Sequence, residues 1–393
     1  MFRFILANRR LLAFGFLLAL LSSFGQTFFV SLFNQHFRSD FGLSHGEIGG
    51  LYSVATLASG LLLIWLGSRV DDVSLRLYTA ASFALLALSC LTLAWAPNIA
   101  ALALAFFGLR FAGQGLLSHT SAVTMARFFT ADRGKAGGIA VLGHSTGELL
   151  LPMLAVAAGA VLAWRAEWVV FGAIIAVSGA ATVFLLPPER HGLRALPERF
   201  STAGRIPLWR VWGSLRHRRF LARLPAVLTP SFVVTGLFFH QLQLAAEKGW
   251  TVEWLAACFA GYAIAKFAVS PVYGLLIDRM TAARLFPASL LPLMAGLIVL
   301  LLTDDPAGAA LYLAFTGAAS GGTGTLATSL WAELYGTGRL GAIRAFVAAL
   351  SVLASGLAPV ALGWLIDLGC SMQAIVAMCL GLVVAAVAIA RAA

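Results

Sequence analysis

Apolar residues run through this chain in blocks of about 20, the length that carries an α-helix across a bilayer, and short polar punctuation separates the blocks. Twelve of them predict helices at 11–33, 46–67, 77–95, 99–125, 137–160, 166–187, 225–247, 252–275, 285–303, 308–332, 341–364 and 371–391. The punctuation repeats. Shifted against itself by 207 residues, the chain aligns without a gap from about residue 67 to residue 152, with Gly67 on Gly274, Asp71 on Asp278, Ala112 on Ala319, Gly115 on Gly322, Gly134 on Gly341 and Pro152 on Pro359. Repeated hydrophobic segments are the sequence sign of a transporter built from related bundles, with its site between them. The expectation is an all-α membrane protein of twelve transmembrane helices in two pseudo-symmetric six-helix bundles. Residues 1–187 form the first bundle, 188–224 a basic linker and 225–393 the second bundle.

Composition agrees with a membrane solvent. The chain is 60% hydrophobic and 11% charged, with a mean hydropathy of +0.91, where soluble domains carry about 25% charged residues. A net charge of +11 suggests nucleic acid until its placement is followed. With the N-terminus inside, 22 of the 27 Lys/Arg fall in inside segments; Arg38, Arg165 and Lys248 lie outside, and Arg110 and Lys266 lie within helices. That is the positive-inside asymmetry, which puts both termini in the cytoplasm and makes anionic lipid heads, not nucleic acid, the partner of the basic excess. Many arginines against few lysines point to a bacterial inner membrane.

The linker holds nine arginines, and around Leu208–Leu221 Trp209, Trp212 and Leu215 alternate with Arg. It reads equally as an amphipathic interfacial helix and as a solvated basic connection. Cys90, Cys258, Cys370 and Cys379 show no paired spacing, so neither a disulfide framework nor a metal site follows, and no cofactor is expected. Ala318 to Thr325, AASGGTGT, lacks the Gly-Lys-Ser/Thr ending of a phosphate loop and reads as tight helix packing. Arg3, Arg9 and Arg10 before an apolar run resemble a signal peptide, but eleven further spans favour an uncleaved first helix.

Between helices 2 and 3 the chain reads Gly67-Ser-Arg-Val-Asp71-Asp72, and its second-half partner reads Gly274-Leu-Leu-Ile-Asp278-Arg279. Helix 4 carries Leu109-Arg110-Phe-Ala-Gly113-Gln114-Gly115. These motifs resemble the major facilitator superfamily across nearly the whole chain. The stretches Arg127–Ala136, Gly143–Pro152 and Trp331–Arg344 are similar to its bacterial monocarboxylate and oxalate–formate branch. The resemblance implies a cytoplasmic gate at Asp71, Asp278 and Arg279. Asp72 stands where the superfamily pattern has Arg, which departs from the first-half contact.

Charges in hydrocarbon cost several kcal/mol and tend to face a bundle interior. Arg110, Glu148 and Lys266 stand near the bilayer middle. The resembled branch places a basic residue in helix 8, so Lys266 is the expected carboxylate contact. Arg110 reads either as a second anion contact or as the ion-pair partner of Glu148. His144 and Glu148 share a helix face at a spacing of four and form a candidate proton carrier, the rival being a hydrogen-bonded structural pair. Gln26 and Asn34 share a face of helix 1, and Asn34 falls on Gln241 under the 207 shift, beside His240. These four either line the central cavity or cap helix ends near the outer surface. His119 reads as a packing histidine. Phe28, Phe29, Phe238 and Phe239 read as lipid contacts.

The leading expectation is a monomeric secondary transporter of a small organic anion, a monocarboxylate, coupled to protons or exchange. A proton-driven exporter of drugs or metabolites is the alternative, and it would gain nothing from a buried ammonium. No enzyme is expected, because no nucleophile–base arrangement or nucleotide motif lies in an aqueous setting.

Overall fold

A computed structural model describes residues 2–186, 217–336 and 340–392. The amphipathic stretch expected at Trp209–Leu215 lies outside the described residues. After a short helix, Phe2–Ala7, come α1 (Arg9–Gly25 and Thr27–Phe41, bent by 45°), α2 (His45–Leu66), α3 (Leu75–Ala94), α4 (Ile99–Phe128), α5 (Arg133–Gly159) and α6 (Trp164–Phe184). The second half holds α7 (Arg218–Phe239, continued by Gln241–Lys248), α8 (Val252–Arg279), α9 (Ala282–Leu302), α10 (Pro306–Tyr335), α11 (Leu340–Asp367) and α12 (Met372–Arg391). Ten of these are long and apolar enough to cross a membrane, and the bent α1 makes eleven. The thirty-residue α10 is the twelfth expected segment, its hydropathy diluted by the AASGGTGT stretch.

The 207-residue repeat is written into the backbone more deeply than the matching residues show. Ser44 caps α2 by accepting from the amide of Glu47, and Thr251 caps α8 by accepting from that of Trp254. Ser74 and Thr281 cap α3 and α9 in the same way, and Asn98 and Asp305 cap α4 and α10. Each pair is separated by 207 residues. Gly42 and Gly249, another such pair, end their helices with φ of 63° and 69°, a left-handed conformation that glycine adopts without a Cβ penalty. Phe33 and His240 break α1 and α7 at equivalent places, with φ/ψ of −101°/1° and −101°/22°. Side-chain oxygens at these caps satisfy amides that a helix start leaves without partners, so the register of both halves is set by local chemistry.

One boundary differs from expectation. α7 begins at Arg218, not at 225, which puts Arg218, Arg219 and Arg223 on a helix instead of in the linker. The apolar run begins only after Arg223, so span length alone does not register the charged first turns. His217 Nδ1 accepts from the Arg219 amide and starts the helix earlier, with Pro225 and Pro230 inside it.

Small residues decide which helices touch. α8 packs along α10, where a Cβ on Gly317 would lie 2.1 Å from the Tyr262 carbonyl oxygen and one on Gly321 2.4 Å from that of Lys266. The glycine-rich stretch is therefore a packing surface, as small-residue motifs in membranes generally are. Gly143 and Gly147 admit α1 onto α5 in the same manner. Among the described residues the longest seams between the halves are α2 against α11 and α5 against α8.

The end of the bundle with the Gly42 and Gly249 turns, here the far end, is closed. Ser31 Oγ donates to Phe238 O at 2.7 Å, and Asn34 Nδ2 donates to Phe239 O at 2.6 Å. Gln241 Nε2 donates back to Phe28 O at 2.9 Å. At the opposite, linker end, no comparable packing joins α4 and α5 to α10 and α11 among the described residues. Phe28, Phe29, Phe238 and Phe239, expected at the lipid, are at most 6% exposed. Phe28, Phe238 and Phe239 pack into this closure with Tyr52 and Phe259, the Tyr52 and Phe239 rings lying 4.7 Å apart, while Phe29 packs inside the first half against Phe24, Trp168 and Phe171. In a membrane protein both the interior and the lipid face are apolar, so an aromatic side chain does not reveal which it meets.

Gly317→Ala is expected to destabilise the fold by about 1–3 kcal/mol through overpacking against backbone. Gly137→Ala on α5, with nothing within 4 Å of its Cβ, is expected to be neutral or stabilising by up to about 1 kcal/mol. Thermal unfolding of the purified variants checks the contrast.

Candidate functional site

The three charges near the bilayer middle depart from the repeat that orders everything around them. Shifted by 207, Arg110 falls on Gly317, Glu148 on Ser355, and Lys266 back onto Ser59. The α5–α8 seam thus carries a Glu and a Lys where the equivalent α2–α11 seam carries two serines.

Glu148 and Lys266 meet. Lys266 Nζ donates to Glu148 Oε1 at 2.6 Å and to Oε2 at 2.9 Å, joining the first half to the second. The carboxylate side chain is 6% exposed and the lysine side chain 18%. Lys266 Nζ also stands 5.5 Å from the centroid of the Tyr262 ring, one helical turn away, close enough for a cation–π contact. Tyr262 in turn donates its hydroxyl to Ser320 Oγ at 3.2 Å, and His144 Nδ1 lies 3.3 Å from Ser23 Oγ. A polar row therefore runs across the bundle from Ser23 and His144 through Glu148 and Lys266 to Tyr262 and Ser320. An isolated charge would be costly here, whereas a chelated pair with matched hydrogen bonds is tolerated.

Arg110 does not pair with Glu148. Its helix passes through a π-helical stretch, Leu109–Leu117, and the guanidinium reaches α1 and α2. Nη1 donates to Gly25 O at 3.1 Å and to Thr27 Oγ1 at 3.3 Å, and Nε donates to Thr56 Oγ1 at 3.1 Å. The Tyr52 ring centroid is 5.2 Å from Cζ. Gln26 explains this arrangement. With φ/ψ of −86°/151° it breaks α1, taking the Gly25 carbonyl out of the ordinary helical ladder. Arg110 supplies the donor at that break, and Gly25 and Gly113, whose added Cβ atoms would each meet the other glycine's backbone within 3 Å, bring the two helices close enough.

Gln26 is half-buried at the break itself. Asn34, His240 and Gln241 are at most 6% exposed and sit in the far-end closure. Asn34 and Gln241 bond the opposite half's carbonyls, and His240 Nε2 lies 2.9 Å from Pro359 O. Their ring and amide nitrogens face backbone carbonyls and do not converge with Lys266. His119, read as a packing residue, lies 3.1 Å from Gly67 O. Of the gate residues, the side chains of Asp71 and Asp278 lie outside the described residues, and Arg279 is exposed. Sequence reasoning passed over Ser23, Thr27, Tyr52, Thr56 and Tyr262, whose one signal is a hydroxyl within an apolar span.

Ten to eleven apolar spans, a repeat in both sequence and caps, and an ion pair buried between the halves are the marks of a transporter bundle. The family model of the Major Facilitator Superfamily matches residues 15–256. The chain belongs to this superfamily. It is a multi-pass membrane transporter and not an enzyme. No curated protein matches it. Among solved structures it is similar to the nucleoside transporter NupG, with 13% identity and a TM-score of 0.76 over 98% of this chain and 97% of that one. It is also similar to a bacterial homolog of the human lysosomal transporter Spinster in an inward-facing, unoccupied form. That match has 16% identity and a TM-score of 0.70, over 98% of this chain and 94% of that one. At these identities the likeness shows the superfamily fold alone.

Two outcomes follow from the charges. Lys266→Met is expected to destabilise by about 3–5 kcal/mol, because Glu148 is left buried without its cation. Adding Glu148→Leu is expected to recover most of that loss, as a double-mutant cycle by chemical or thermal unfolding will show. Arg110→Lys, whose single ammonium cannot span Gly25 O and Thr56 Oγ1 together, is expected to cost about 2–3 kcal/mol in the same assay.

Proposed function

We propose that the chain is a secondary transporter of a small organic anion, a monocarboxylate, that moves its substrate with a proton. The observation that carries this reading is the chelated Glu148–Lys266 pair between the halves. Its net charge is zero. A carboxylate reaching Lys266 has to displace Glu148, and a proton on Glu148 releases the lysine. Loaded with one proton and one anion, the site is neutral again, so both ligands enter a low-dielectric bundle without net charge. Occupancy also breaks a bond between the halves, which gives the ligands the differential affinity that any shift between two conformations requires.

His144, bonded to Ser23 on α1, stands one turn from Glu148 as a relay for the proton. The donors of Arg110 are engaged at the break in α1, and we assign it to that hinge in preference to substrate contact. Arg9, Arg10, Arg218, Arg219 and Arg223 gather at the linker end, which supports placing that end on the cytoplasmic side of a bacterial inner membrane. The open linker end is then the inward-facing state.

The closed pair also supports a second reading. With Lys266 covered, the site suits a neutral solute, and the fold-mate NupG is a nucleoside transporter. Glu148 would then stay ionised and paired to the lysine throughout.

Thermal-shift measurements on purified protein, with carboxylates and with neutral and cationic solutes at an acidic and a neutral pH, separate the two. An anion at about 100 times its Kd stabilises by about 2.7 kcal/mol. The expected result is a carboxylate response that grows as pH falls, disappears in Lys266→Gln and loses its pH dependence in Glu148→Gln. A carboxylate response that survives Lys266→Gln, or stabilisation by neutral solutes alone, would sink the anion assignment.

A further inference from the structure

Besides Glu47, which completes the Ser44 capping box, four carboxylates among the described residues sit over helix N-termini. Glu247 accepts from the Met372 amide at the start of α12, Glu333 from the Ala282 and Ala283 amides at the start of α9, and Asp305 from the Ala307 amide at the start of α10. Each of these three joins elements of one half. Asp367 differs. It ends α11 in the second half, and its two oxygens accept from amides of α2 in the first half. The His45 amide donates to Oδ1 at 3.0 Å and the Gly46 amide to Oδ2 at 2.7 Å.

The contact is possible because the two helices run antiparallel along one seam, so that the C-terminal end of α11 arrives where α2 begins. Gly46 makes the approach close, since a Cβ there would lie 2.2 Å from Trp364 Cδ1 and 2.7 Å from Asp367 Oδ2. A carboxylate chelating the first amides of a helix combines charge-assisted hydrogen bonds with the favourable end of the helix dipole. Nothing in the folding of either half requires it, because Ser44 already caps α2 from within its own half through the Glu47 amide.

We propose that Asp367 is the latch of the far end: it clasps the N-terminus of α2 while that end is closed, and its release is a step in opening to the far side. The aromatic and carbonyl contacts between α1 and α7 are buried deeper. The Asp367 side chain is exposed at the rim, where a charge-dependent contact makes and breaks against water at modest cost. The proposal rests on alternating opening of the superfamily fold and not on the anion assigned to Lys266, so the two fail separately.

The test is a pair of spin labels across the far end, on Ser39→Cys in the first half and Glu253→Cys in the second, both positions being exposed. Cys370→Ser removes the accessible native thiol, and distances are read by pulsed electron resonance in lipid nanodiscs. Asp367→Asn keeps the shape but loses the charge and one acceptor, and is expected to raise the long-distance, far-end-open fraction about three- to tenfold. Gly46→Ala, which wedges the same contact from the other helix, is expected to shift it in the same direction and serves if the first variant does not fold. Glu247→Gln, a cap of the same chemistry within one half, is expected to lower the unfolding temperature and leave the distances alone. A wild-type distribution in both Asp367→Asn and Gly46→Ala, or an equal shift in Glu247→Gln, would overturn the latch.

Discussion

A charge in hydrocarbon has to be satisfied where it lies, and at the seam between the halves two charges satisfy each other. Glu148 comes from the first half and Lys266 from the second, so neither half alone can bury its own central charge without loss. The halves share a frame to the level of individual helix caps, Ser44 with Thr251 and Ser74 with Thr281. Against that frame the ion pair stands out, because the equivalent seam has Ser59 and Ser355 in its place.

The first helix shows how a break can be maintained where water is absent. An extended residue inside a membrane helix leaves backbone groups without partners, each worth several kcal/mol in hydrocarbon. The extended Gln26 is tolerated because Arg110 donates to the Gly25 carbonyl and because Gly25 and Gly113 let the helices close up. Arg110 itself is only 3% exposed and is satisfied by a carbonyl, two hydroxyls and the Tyr52 ring. Break and arginine stabilise each other.

Much of the architecture was legible in the sequence, since span length, the 207-residue offset and the rarity of intramembrane charge are one-dimensional properties. Lys266, Glu148 and Arg110 could be singled out from the cost of burial alone. Their pairing could not, because Glu148 had two cations within reach, and only the packing of α5 on α8 chooses Lys266. The four phenylalanines were placed at the lipid, yet they are buried, three in the far-end closure and Phe29 in the core of the first half, because apolar periodicity carries no contrast when both faces of a helix are apolar. Asn34 and Gln241 were rightly matched as symmetry mates, but an amide that bonds a buried carbonyl and an amide that lines a cavity look the same in one dimension. The Asp367 contact left no trace at all: 322 residues separate it from the His45 amide it accepts.

The pairing of Glu148 with Lys266 also has an electrical consequence. A membrane potential does work of about 2.3 kcal/mol on each elementary charge per 100 mV traversed. Two opposite charges held 2.6 Å apart move through that field as a small dipole, and the work done on one cancels most of the work done on the other. While the pair remains closed it adds almost nothing to the charge that a rocking of the two halves would carry through the potential, and Arg110, satisfied by a carbonyl and two hydroxyls, is the buried charge whose displacement the potential would act on.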